Sequence, residues 1–125
     1  FNDAQQWELG VCTQDQIALT VHATVVSHAG GRAVLDAGSK ALAADRAPYA
    51  SGYGRLLDHP DARIVILSEH HAVVEMGGAL PALGSVVRVV PNHCCNAVNL
   101  ADEVVVVRDG RRIDAWPIAA RGANT

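Results

Sequence analysis

The stretch Pro91-Asn92-His93-Cys94-Cys95-Asn96 sets an imidazole and a thiol two residues apart. On extended backbone, side chains alternate between faces with period two. His93 and Cys95 would then share a face, and Cys94 would point the other way. Imidazole nitrogen and thiolate sulfur together suit zinc better than magnesium or calcium. Pro91 has its φ fixed by its ring and limits how the chain enters the segment. The pattern is that of two metal ligands aimed in advance by a rigid element. Two ligands do not complete a site, because structural zinc normally has four protein ligands and catalytic zinc usually three. Cys12, Cys94, His22, His28, His59, His70, His71 and the carboxylates remain as donors, and none forms a second C-x-x-C or H-x-x-x-H cluster. The shell is therefore either completed across the fold or left partly open, and an open shell is what substrate activation needs. The competing reading of the same spacing is a buried cysteine pair acting as small hydrophobes beside a hydrogen-bonded histidine.

The elements that must position this segment read as strands. At 125 residues the chain forms one domain with room for a real core. Half the residues are hydrophobic but only 4% are aromatic, and valine and alanine dominate. Valine-rich runs favour pleated surfaces. Gln16 to Val26 predicts a long strand, Ala29-Gly30-Gly31 a turn, and Arg32 to Asp36 the return strand. Ser39 is a candidate cap for a helical turn over Lys40 to Asp45. Ala47 to Pro60 reads as a long loop, a type that is usually functional. Arg63 to Leu67, Ala72 to Met76 and Ser85 to Val90 follow as strands, and Asn96 to Ala101 as one helical turn. Glu103 to Arg108, Asp109-Gly110 and Arg111 to Ile118 make the clearest hairpin. Ala119 to Thr125 reads as a tail. Many short strands with glycine turns indicate an all-β barrel or sandwich.

Several classes are disfavoured. A net charge of −3 and a pI near 6 give no nucleic-acid footprint. No apolar run is long enough to span a membrane as a helix, and no signal peptide is visible. Three cysteines, an odd number, argue against a disulfide framework and fit a reducing, cytoplasmic setting. Phe1 is not an initiator residue, so the chain reads as an excised or processed piece.

A set of segments in order along the chain carries a resemblance. They are Phe1-Asn2-Asp3, Ala18-Leu19-Thr20-Val21, Asp36-Ala37-Gly38-Ser39-Lys40-Ala41-Leu42, Leu67-Ser68-Glu69-His70-His71, Pro91-Asn92-His93-Cys94-Cys95, Asn99-Leu100 and Trp116 to Gly122. Together they resemble the C-terminal β-domain of the D-serine dehydratase-like proteins, which include D-threonine aldolases and 3-hydroxy-D-aspartate dehydratases. The resemblance implies a distorted β-barrel with short helical turns over 1–125, similar to the C-terminal domain of fold-type III enzymes. It implies an N-terminal α/β barrel of the same polypeptide, absent here, that carries pyridoxal phosphate on a lysine, and a homodimer. The domain alone should not turn over substrate.

By the same resemblance the metal ligands carry over to His93 and Cys95, with zinc favoured over manganese or magnesium. Cysteine at the second position is similar to the dehydratase branches, whereas aldolase members more often have aspartate there. The implied reaction is loss of the β-hydroxyl from a small D-serine-like amino acid, giving a keto acid and ammonia. Pyridoxal phosphate would stabilise charge at Cα and the metal would assist the departing hydroxyl. Cleavage of Cα–Cβ by an aldolase, or a non-catalytic assembly module, are the alternatives. His71 matches the family's histidine after Ser-Glu and is a candidate to line the active site or orient a ligand. His70 replaces an acidic residue there, and Glu69 is a possible acceptor. Lys40 is the only lysine, but the cofactor lysine belongs to the missing barrel, so a local contact with Asp36 is expected instead. Tyr49 and Tyr53 could reach a neighbouring subunit, Trp116 should anchor the last strand, and Arg121 could bind a carboxylate. Cys12 and Cys94 are expected to be inert.

Overall fold

A computed structural model describes residues 1–123. Six antiparallel strands close into a barrel: β1 (Val21–Ala29), β2 (Arg32–Leu35), β3 (Gly54–Leu56), β4 (His59–Leu67), β5 (Ala72–Glu75) and β6 (Val86–Pro91). Their order around the barrel is β1-β2-β5-β4-β3-β6, and β6 pairs back to β1. Short helices α1 (Ala4–Glu8), α2 (Ser39–Leu42) and α3 (Cys94–Asn99) decorate it. β7 (Glu103–Arg108) and β8 (Arg111–Pro117) form a separate two-stranded sheet. The barrel is the all-β architecture expected, with short helical turns. No described helix is long and apolar enough to cross a membrane.

The composition suits so small a barrel. Inward positions alternate with outward ones along each strand, as in the buried–half-buried–buried pattern of β3. Val25, Leu35, Leu56, Ile64, Val74 and Val89 fill the interior, with Ala23, Ala33, Ala62 and Ala72 beside them. A six-stranded interior is narrow, so alanine and branched aliphatics fit where aromatic rings would not. The two hairpin turns anticipated from glycine are present. Gly30 and Gly31 both have positive φ, as do Asp109 and Gly110, the backbone that two-residue hairpin loops demand.

Two expectations need correction. The first strand begins at Val21, not Gln16, because Gln14–Gln16 forms a short 3-10 turn. The expected loop over 47–60 contains β3 and the start of β4. Its glycines look like loop residues, but Gly54 is one because backbone passes close by. With φ of 142°, its position would bring a Cβ to 2.9 Å from the Val90 carbonyl oxygen. The last residues of the expected tail, Asn124 and Thr125, lie outside the described residues.

Gly54→Ala should therefore lower stability by about 1–3 kcal/mol, read as a lower urea midpoint with the barrel's circular dichroism retained. An unchanged midpoint would mean that β3 is not held this tightly against β6.

Candidate metal centre

β6 delivers the chain to the site and a buried polar clamp turns it. Pro91 is fully buried, pairs with Gly54 and ends the strand. Asn92 is buried, and its Nδ2 donates to the carbonyls of Asp45 (3.1 Å) and Gly52 (2.8 Å). Its own carbonyl accepts from Gln5 Nε2 at 3.0 Å. Asn92 thus ties the loop before β3 to the end of β6 through its side-chain amide, and α1 to the same point through its main-chain carbonyl. Unpaired, these polar groups would carry the full cost of burial.

His93 is the last extended residue (φ −135°, ψ 113°), and α3 starts at Cys94. Cys95 is therefore on a helix rather than on a continuous strand, which corrects the geometry expected from period two. The reason is a contact from a distant segment: the Cys94 N–H donates to Asp3 Oδ2 at 3.3 Å, which anchors the first turn of α3. The division of the cysteines is nonetheless the expected one. Cys94 is buried and its Sγ donates to the Phe1 carbonyl at 3.2 Å. Burial, with Cys95 and Asp3 adding, pushes the Cys94 thiol up and keeps it protonated. Cys95 is exposed and His93 half-exposed.

Asp3, which residue spacing did not single out, closes the site from behind. It is 2% exposed. Its Oδ1 accepts from Gln6 N–H in a reciprocal cap of α1, and its Oδ2 lies 3.4 Å from His93 Nδ1. Asp3-x-x-Gln6 is a recognisable capping signal, but nothing in it points to a histidine ninety residues away.

The other candidates gather around α2. Gly38 lets backbone meet backbone: a Cβ there would sit 2.2 Å from the Ser68 carbonyl oxygen. Ser39 N–H and Lys40 N–H donate to the Ser68 and Glu69 carbonyls (2.8 and 3.1 Å). Gly38, not Ser39, is the N-cap. Lys40 pairs with Glu69 at 2.7 Å rather than with Asp36, and its Nζ is 3.4 Å from His70 Nε2. Asp36 instead accepts the Thr24 N–H at 2.7 Å, so it serves β1. His71 is exposed at the β4–β5 turn, where its carbonyl accepts from Ser68. A cleft of about 390 Å³ between α2 and α3 is lined by Ser39, Ala43, Ala44, Asn96, Asn99 and Leu100. A hollow of similar size, lined by Gln14, Asp15, Ile17, Leu57 and Arg88, includes none of the candidates. Tyr53 packs on the core under Arg46, and Tyr49 is exposed. Trp116 is half-exposed, Arg121 pairs with Asp102 at 2.5 Å, and Cys12 is buried.

Residues 18–107 match the family model described as "Putative serine dehydratase domain". The chain belongs to this family. An uncharacterized protein of Mycobacterium tuberculosis is 55% identical over 99% of this chain and 98% of its own length. The D-threonine aldolase of Arthrobacter sp. is 38% identical over 95% of this chain but only 30% of the enzyme. The solved D-threo-3-hydroxyaspartate dehydratase of Delftia sp. superposes with a TM-score of 0.80 at 27% identity, covering 94% of this chain and 36% of the enzyme. The domain thus spans about a third of the enzymes it matches and nearly all of the mycobacterial protein. Two further solved forms of that dehydratase carry single changes. One replaces a histidine with alanine, and the other, in a metal-free form, replaces a cysteine two positions further along.

No group of three or more His, Cys, Asp or Glu among the described residues could hold a metal ion. The donors present at the exit from β6 are one half-exposed imidazole, His93, and one exposed thiol, Cys95.

Asn92→Ala should lower stability by about 1–3 kcal/mol and open the 45–52 loop to protease while the barrel stays folded. Wild-type protease resistance in that variant would contradict the clamp.

Proposed function

We propose that this chain is the metal-bearing β-domain of a lyase acting on small β-hydroxy-D-amino acids, with His93 and Cys95 as protein ligands to a divalent metal. The observation that carries this is the divided cysteine pair, since Cys94 is buried, with burial pushing its thiol up, while Cys95 is exposed two residues after His93. The histidine and cysteine altered in the solved dehydratase forms have the same two-residue spacing, which supports the reading. A thiolate favours zinc over manganese or magnesium.

When bound, the metal supplies a Lewis acid for the substrate's β-hydroxyl, and pyridoxal phosphate, held by an α/β barrel outside these residues, supplies an electron sink at Cα. This chain's part is binding and orientation. His93 and Cys95 would hold the metal at the exit from β6. Cys94, bonded to Asp3 through its N–H and to the Phe1 carbonyl through its Sγ, holds the first turn of α3 in place. Lys40 is exposed and ion-paired, so the cofactor's lysine is assigned to the barrel, in a homodimer of the same polypeptide. His71 is assigned to the rim of the site, on the turn that Gly38 fixes against α2. Such a chemistry suits a reducing compartment, where the exposed Cys95 thiol stays free.

Dehydration to a keto acid and ammonia is the proposed outcome, because cysteine is the residue altered in the metal-free dehydratase. Aldol cleavage to glycine and an aldehyde is the second reading, favoured by the identity to D-threonine aldolase. A non-catalytic assembly module is the third, favoured by a relative whose whole length this domain matches.

Zinc content and chelator competition on the whole chain test the ligand pair. One zinc per chain is expected, with affinity lost at least about tenfold in His93→Ala and in Cys95→Ala and kept in Cys12→Ala. Equal zinc affinity in Cys95→Ala and the wild type would sink the proposal.

A further inference from the structure

Asp3 and Asn92 are the buried polar side chains of the described residues. A buried carboxylate is costly unless hydrogen bonds compensate it. Capping α1 needs only one acceptor, and serine or threonine would serve without the burial of a charge. Asp3 Oδ1 performs that cap by accepting from Gln6 N–H. Its Oδ2 is what requires explanation. It accepts the Cys94 N–H (3.3 Å) and faces His93 Nδ1 (3.4 Å).

We infer that Asp3 is a positioning residue for His93: its Oδ2 holds the proton on Nδ1 and leaves Nε2 as the nitrogen with the free lone pair. This rests on the reading of His93 as a metal ligand. A carboxylate behind a ligating histidine fixes tautomer and ring orientation and raises the basicity of the coordinating nitrogen. The same oxygen also holds the first turn of α3, which carries Cys95. One atom from the start of the chain therefore sets both ligands, across a separation of 91 residues to Cys94.

Nitrogen-15 NMR of the imidazoles in the metal-free chain reads the tautomer directly, at a pH where His93 is neutral. The wild type should carry the proton on Nδ1. Asp3→Ser, which keeps a capping oxygen but not the second acceptor, should lose that preference and weaken zinc about 10–100-fold. Its urea midpoint, measured alongside, separates lost positioning from lost folding. A wild-type His93 protonated on Nε2 overturns the inference, as does a folded Asp3→Ser chain that binds zinc like the wild type. Should the wild type show the Nδ1 proton yet bind no zinc, the metal reading fails while the orienting contact of Asp3 is upheld.

Discussion

The exit from β6 is held by two buried polar side chains, and the placement of every candidate ligand depends on them. Asn92 satisfies carbonyls of two loop residues that would otherwise lie unpaired inside the protein. Asp3 satisfies the first N–H of α3. Both bring the N-terminal helix against the end of the barrel, since Gln5 and Gln6 of α1 complete the same network. Hydrophobic burial closes the barrel, but it is non-directional. The clamp is directional, and it decides that His93 and Cys95 emerge on the outside while Cys94 turns in.

What the chain revealed before its fold was known follows from how local each signal is. The β7–β8 hairpin was legible to within one residue, β8 ending at Pro117 rather than Ile118, because Asp109-Gly110 demands a two-residue turn and both flanks are strand-like. The β1–β2 turn was legible for the same reason. β3 was not, because Gly52, Tyr53 and Gly54 carry a loop's composition, and the need for glycine comes from Ile64 and Val90 on the flanking strands β4 and β6. The residue types of the candidate metal pair were readable, while their backbone was not: α3 begins one residue after His93 because of an acceptor at position 3. Asp36 and Lys40 were expected to meet, yet the Gly38 contact carries Lys40 toward Glu69 and leaves Asp36 on β1. Contacts between distant segments are invisible to spacing, and Asp3 is the clearest case.

The β7–β8 hairpin stands apart from the barrel. None of its residues is buried, and Val105, Val107, Ile113 and Trp116 are about half-exposed. Two-stranded sheets are marginal alone in water, so its persistence rests on the Asp109-Gly110 turn and cross-strand pairs such as Val104 with Trp116. The barrel, by contrast, is self-contained, with a continuous aliphatic interior. The enzymes of this family that share the domain are about three times its length, and the proposed division of labour follows that difference. In that proposal the β-domain orients a metal, and the electron sink comes from elsewhere.

X-ray absorption on the zinc-loaded chain tests the two-ligand centre most directly. The expected spectrum has one sulfur at about 2.3 Å and one imidazole nitrogen at about 2.0–2.1 Å, with light oxygen scatterers filling the shell. A shell without sulfur, or one with two or more sulfurs, would contradict the assignment of His93 and Cys95 as the pair that holds the metal.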